Sequence, residues 1–167
     1  MITRHAQSSR RTHPTLEKAT VKKILVLATL AAASMGAQAA CTIPIVIAKH
    51  TGVVFEKHGG WAKDTDRLTT LCEKLRKNRA RVSVLANATV LGEQSIGWAA
   101  LSIVDLDSEI GTIAFASLHT STDSYASADT ADQLMVRAVN LAAQNWSAID
   151  KALADLDVER KRARRGR

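Results

Sequence analysis

Aromatic residues are scarce in this chain: three Trp, two Phe and one Tyr in 167 residues. A core built here must rest on Ala, Val, Leu and Ile. Proline is scarcer still, with Pro14 and Pro44 alone. No Gly/Ser linker follows Pro44 and no internal repeat is present, so nothing marks a domain boundary. No G-x-S-x-G elbow occurs, which removes the usual turn for a hydrolase serine. No metal or nucleotide motif stands out either. Cysteine is limited to Cys41 and Cys72.

Charge of one sign is missing from the middle of the chain. The formal charge is +7, but six basic residues (Arg4, Arg10, Arg11, Lys18, Lys22, Lys23) precede position 24. Six more (Arg160, Lys161, Arg162, Arg164, Arg165, Arg167) occupy the last eight positions. Between 40 and 159, eleven basic residues face fifteen acidic ones. The body is mildly acidic, so the high pI does not point to nucleic acid.

What is present first is an address. Lys22 and Lys23 precede an apolar run over 24–33, too short to span a bilayer as a helix. Ala37-Gln38-Ala39 then supplies the small residues that a signal peptidase reads. Residues 1–39 read as a signal peptide with an extended N-terminus, or with the true start near Val21, cut after Ala39. The mature protein is expected in the periplasm or secreted, where disulfides persist. Ser9-Arg10-Arg11 invites a twin-arginine reading, but His13 and Pro14 depart from it. Cys41 admits two fates. Acylation as a lipoprotein wants Leu three residues earlier, where Gln38 stands; a disulfide to Cys72 needs only export.

The pattern over 40–157 is one α+β domain. TIPIVIA (42–48) reads as a strand entered through Pro44, and 53–55 as a short second strand. Leu68, Leu71, Cys72 and Leu75 make one face of a helix over 62–78. Strands follow over 81–91, 98–106 and 110–118, the last two joined by the polar tip Asp107-Ser108-Glu109. Both faces of those two strands are fairly apolar, as in central strands. The polar loop 119–127 leads to one long helix over 128–156, capped by Ser127 or Asp129. Its buried stripe reads Leu134, Ala138, Leu141, Asn145, Ile149, Ala152 and Leu156. The order β-(β)-α-β-β-β-α gives an antiparallel sheet of four or five strands on two helices. Residues 158–167 read as a disordered basic tail.

The stretch ALSIVDLDSEIGTIAFAS, with Asp105 before the turn and Gly111 after it, then a polar loop and an alanine-rich helix, resembles the periplasmic α/β domain of the curli-secretion-pore and TolB-amino-terminal group. IPIVIA followed by a Leu-striped helix matches that domain's opening. The resemblance covers about residues 42–155. It implies an envelope protein–protein module without catalysis, and it transfers no functional residues.

Several constellations admit plainer readings. Asp105, Asp107 and Glu109 start like a calcium loop, but Ile110 stands where Gly is needed and Ala116 where a bidentate Glu would close it. His50, Glu56 and His58 could ligate Zn or Cu, though their spacing matches no closed site. The segment from His119 to Asp129 holds Ser, His and Asp, which also cap helices and make turns. Trp61, Trp98 and Trp146 suit core or core-edge packing. The basic residues Arg160, Lys161, Arg162, Arg164, Arg165 and Arg167 could meet an anionic membrane surface. The expected role is an exported envelope binding or assembly module, without enzyme activity or cofactor, whose partner is an envelope protein. The alternatives are a lipoprotein acylated at Cys41, or a metal- or Ser-dependent hydrolase around His50, His58 or His119.

Overall fold

A parallel pair opens the sheet. The computed structural model describes residues 41–63 and 66–166; the signal-peptide reading of 1–39 and the place of Arg167 lie outside them. Strand β1 (Ile45–Ile47) runs parallel to β2 (Ala80–Leu91), with Ile45 opposite Val82. Strands β3 (Gln94–Asp105) and β4 (Gly111–Asp123) follow antiparallel, in the order β1-β2-β3-β4. The fold is α+β, but the sheet is mixed rather than purely antiparallel. A parallel neighbour cannot be reached by a tight turn, so the chain must return to the starting end before β2 begins.

That return corrects the second strand. Residues 53–55 belong to helix α1 (Lys49–Lys57), not to a strand. Val53 and Val54 look β-forming, yet a three-residue strand there would find no neighbour. As a helix the segment buries Phe55, which meets Trp61 edge-on at 5.3 Å. Helix α2 (Asp66–Lys77) completes the crossover and buries Leu68, Leu71, Cys72 and Leu75, the face expected from their spacing. Cys41 and Cys72 form a disulfide with a Cα–Cα distance of 5.9 Å, clipping the entry to β1 onto α2.

The expected long helix is two. Helix α3 (Ala128–Gln144) ends at Asn145, and α4 (Ile149–Arg165) begins after Ala148. Between them Trp146 turns into the core, and its indole N–H donates to Phe115 O at 2.8 Å. The single stripe therefore fails in the middle: Leu141 is half-buried and Asn145 exposed. Helix α3 packs on β2, β3 and β4 and also against α1 and α2, so it buries Met135, Val136, Val139, Ala142 and Ala143 as well. Ser127 caps it, its Oγ accepting from Thr130 N at 3.0 Å. Residues 158–165 are helical rather than a disordered tail, because Arg160 is tied to Asp105 while Asp157 and Glu159 pair with Arg160 and Arg162.

The core lies on one side of the sheet. Val82, Leu101, Ile103, Leu75, Val139 and Leu156 are among its fully buried members. Strand β3 alternates in burial along its whole length, so only one face is covered. The partial cover expected over the second face of β3 and β4 is not found among the described residues, and β4 is an edge strand rather than a central one. It also continues through Asp123, absorbing His119–Asp123 from the expected loop.

Two measurements check this layout. Leu101→Ala should cost about 2–5 kcal/mol in urea denaturation, whereas Leu118→Ala on the opposite face should change stability by less than about 0.5 kcal/mol. Equal effects would mean that the faces are assigned wrongly. Cys72→Ser should lower stability by about 3–4 kcal/mol, the chain-entropy value for a loop of this size, with a lower Tm that reductant reproduces in the wild type.

Candidate interaction surface

Pairing register builds the uncovered face row by row. Leu85, Ala100 and Leu118 stand side by side across β2, β3 and β4; Asn87, Trp98 and Thr120 form the next row, then Thr89, Ile96 and Thr122. These rows contain no charged residue. Leu85 is 66% exposed and Leu118 70% exposed, while Ile96, Trp98 and Ala100 are half-buried among their neighbours. No helix among the described residues covers this face. Trp98, expected in or beside the core, sits here instead.

The two sheet edges differ. Strand β1 is three residues long and entered through Pro44, the usual means of blunting an edge. Strand β4 is thirteen residues long and carries no Pro, Lys or Arg. Its first half is interrupted: Ile103 pairs with Thr112 and Leu101 with Ser117, so residues 113–116 oppose Ser102 alone. This is a larger insertion than the usual bulge of two residues against one. It exposes Ile113 (87%) and Phe115 (46%), and Phe115 takes φ +60°, which is rare for a bulky side chain. The helices hold the distortion. Trp146 bonds Phe115 O, Ser117 Oγ donates to Ala142 O at 2.7 Å, and Thr112 Oγ1 donates to Asp155. After the bulge, residues 117–122 return to regular pairing as an uncharged run.

The structure separates the residues proposed as sites. His50 and Glu56 both lie on α1, six positions or about 120° apart around the helix, and so share no face. His58 caps that helix, with Nε2 3.7 Å from Asp129 Oδ1. Hydrogen bonds from Gln133 and Lys57 hold the Asp129 carboxyl below its usual range. Among the described residues no group of three His, Cys, Asp or Glu is arranged to hold a metal. His119 lies in β4 opposite Ala99, and the Ser127 hydroxyl is engaged by Thr130 N and Thr130 Oγ1 at the start of α3. Trp61 is half-buried at the core edge and Trp146 is in the core.

Asp105, just before the polar hairpin tip, is buried. Arg160 Nε donates to its Oδ1 at 2.7 Å, and the same guanidinium reaches Asn78 O at 3.0 Å and Arg79 O at 2.8 Å. Ser108 Oγ (2.8 Å) and Asp107 N (3.1 Å) donate to Oδ2. Burial pushes this carboxyl up. The Ser108 bond, the Arg160 bond and charge, and the Asp107 N–H outweigh burial and hold it below its ordinary value. A carboxylate depressed in the folded state stabilises above the unfolded pKa, near 4, and loses that contribution as pH falls through the folded value. Asp105→Asn should therefore cost about 1.5–3 kcal/mol at pH 7, and the gap to wild type should narrow as pH drops below about 4. Hydrogen exchange in the last turns of α4 should quicken in the variant.

No family model matches the chain, and no curated protein matches it. Among solved structures it is similar to the "putative lipoprotein from Caulobacter crescentus CB15", with 15% identity over 68% of this chain and 86% of that one, at a TM-score of 0.35. A likeness at that level carries no argument about fold or function. The α+β arrangement is compatible with the resemblance to the curli-secretion-pore and TolB-amino-terminal group, which these comparisons do not name.

Proposed function

We propose that this chain is a small exported module of the cell envelope, working in the periplasm by protein–protein contact rather than catalysis. The bare sheet face and the adjoining β4 edge form its contact surface. The observation that carries this reading is the row Leu85–Ala100–Leu118 beside residues 117–122, the part of the β4 edge that keeps regular pairing beyond the bulge. A contiguous apolar patch is unusual on a protein that works alone, and a regular uncharged edge strand is a template for another chain. The leader sequence and the Cys41–Cys72 disulfide fit an oxidising compartment.

The lipoprotein reading competes for one atom. Acylation of Cys41 needs the sulfur that is bonded to Cys72. Intact mass of the exported protein distinguishes the two, since a diacylglyceryl adduct on Cys41 would displace the disulfide. The hydrolase reading finds His50 and His58 at opposite ends of α1 and His119 on β4.

A photo-crosslinking residue at Leu118 or Ile113 should give a discrete adduct in cells that export the protein, and the same residue at exposed Lys151 should not. Leu85→Lys, which leaves the core intact, should abolish the Leu118 adduct. The contact surface is refuted if Lys151 yields the same adducts or if Leu85→Lys leaves them unchanged.

A further inference from the structure

Two basic clusters far apart in sequence meet at one end of the domain. Helix α2 closes with Arg76 and Lys77, and α4 closes with Arg160 to Arg165. Arg160 draws the two ends together, reaching from α4 to the carbonyls of Asn78 and Arg79 just after α2. Several cations here are already compensated. Arg160 is held by Asp105, Arg79 by Asp107, Arg81 by Glu109 and Arg162 by Glu159. Arg76, Lys77, Lys161, Arg164 and Arg165 are exposed and form no ion pair among the described residues.

The surroundings indicate what these five residues would meet. Two shallow clefts, of about 390 Å³ beside Trp61 and about 480 Å³ beside Asn145, lie elsewhere and include none of the five. A small anion needs a shaped pocket; a flat polyanion needs only long cations on a common end. The chain also enters the domain here. Val82 N donates to Pro44 O at 2.9 Å, so the segment from Cys41 joins the sheet beside the start of β2. We propose that this end of the domain docks on the anionic phospholipid face of a membrane, with Arg76, Lys77, Lys161, Arg164 and Arg165 acting as one surface. This surface is distinct from the open sheet face and leaves that face free for a protein.

The test is sedimentation of the purified exported protein with phosphatidylcholine vesicles containing phosphatidylglycerol, against phosphatidylcholine alone. Wild type should bind the anionic vesicles at low salt and release as salt screens the attraction. Arg76→Gln/Lys77→Gln should weaken partitioning roughly tenfold or more, at about 1 kcal/mol per cation, and Lys161→Gln/Arg164→Gln/Arg165→Gln should weaken it further. Lys63→Gln/Arg137→Gln, beside the Trp61 cleft, should bind like wild type. All substituted residues are exposed, and an unchanged Tm verifies folding. Wild-type binding by the α2 pair variant would overturn the shared surface. So would equal binding to neutral vesicles. Retention on immobilised polyglutamate without any vesicle binding would overturn the membrane and assign the end to an acidic protein.

Discussion

Helix α3 rests on β3 with no side chain between them at Gly97. A Cβ at that position would collide with the backbone of Leu134 and Met135. Ala99 continues the strand and Ala138 and Ala142 the helix, all buried, so the two backbones lie as close as small residues allow. With few aromatics, the chain obtains a dense core by close approach rather than by bulk. The rest follows from that seating. Helix α3 is buried nearly all round, α1 packs against it, α2 packs against both α3 and β2, and α4 covers β4 and part of β3. All four helices among the described residues are used on one face of the sheet, and none of them covers the other.

The parts of this arrangement legible in sequence were those governed by one local period. The Leu-striped face of α2, the three hairpin-forming strands, the Ser127 cap and the Cys41–Cys72 pairing all follow from spacing or from compartment. The failures share a physical cause, which is tertiary packing that overrides a local signal. Val53 and Val54 are β-formers placed in a helix because a parallel β1–β2 pair demands a crossover. The α3–α4 break has no Gly or Pro to announce it; Trp146 makes it by turning inward onto Phe115 O. Residues 158–165 look too charged to pack, yet one of them, Arg160, finds a buried carboxylate fifty-five positions away. That partner was hidden inside a plausible hairpin tip. The open sheet face is not legible in sequence because alternating apolar strands look alike whether or not a second layer covers them.

Asp105 ties these regions together. Its backbone closes the β3–β4 hairpin, its N–H donating to Ile110 O at 2.8 Å, and its carboxylate fixes both Ser108 and Arg160. The same guanidinium satisfies the carbonyls that follow α2. One acidic residue thus joins the hairpin tip, the exit of α2 and the end of α4. Surrounded by hydrogen bonds, it resists protonation despite burial, so this joint persists through ordinary acidity. Removing Arg160 to this buried contact also means that it adds no charge to the surface beside it, and the exposed cations there belong to other positions on both helices.

The bulge in β4 restricts what could pair with that edge. Residues 113–116 leave the strand line, held out by bonds to Trp146, Ala142 and Asp155 that come from both α3 and α4. Backbone strain of this kind costs roughly 1–3 kcal/mol and persists only where surrounding structure imposes it. An added strand can therefore extend the sheet only along 117–122, about six residues, and must then pass Phe115 and Ile113 standing clear of the edge. A partner that fits is a short uncharged strand followed by an apolar hollow, since a long uninterrupted strand would clash with the bulge. The edge is left open enough to recognise a segment and is interrupted where indefinite sheet growth would begin. Because the bulge is anchored at the α3–α4 junction, any partner that straightens it must also disturb Trp146, and a partner that accepts it gains a pre-formed pair of apolar anchors without an ordering cost.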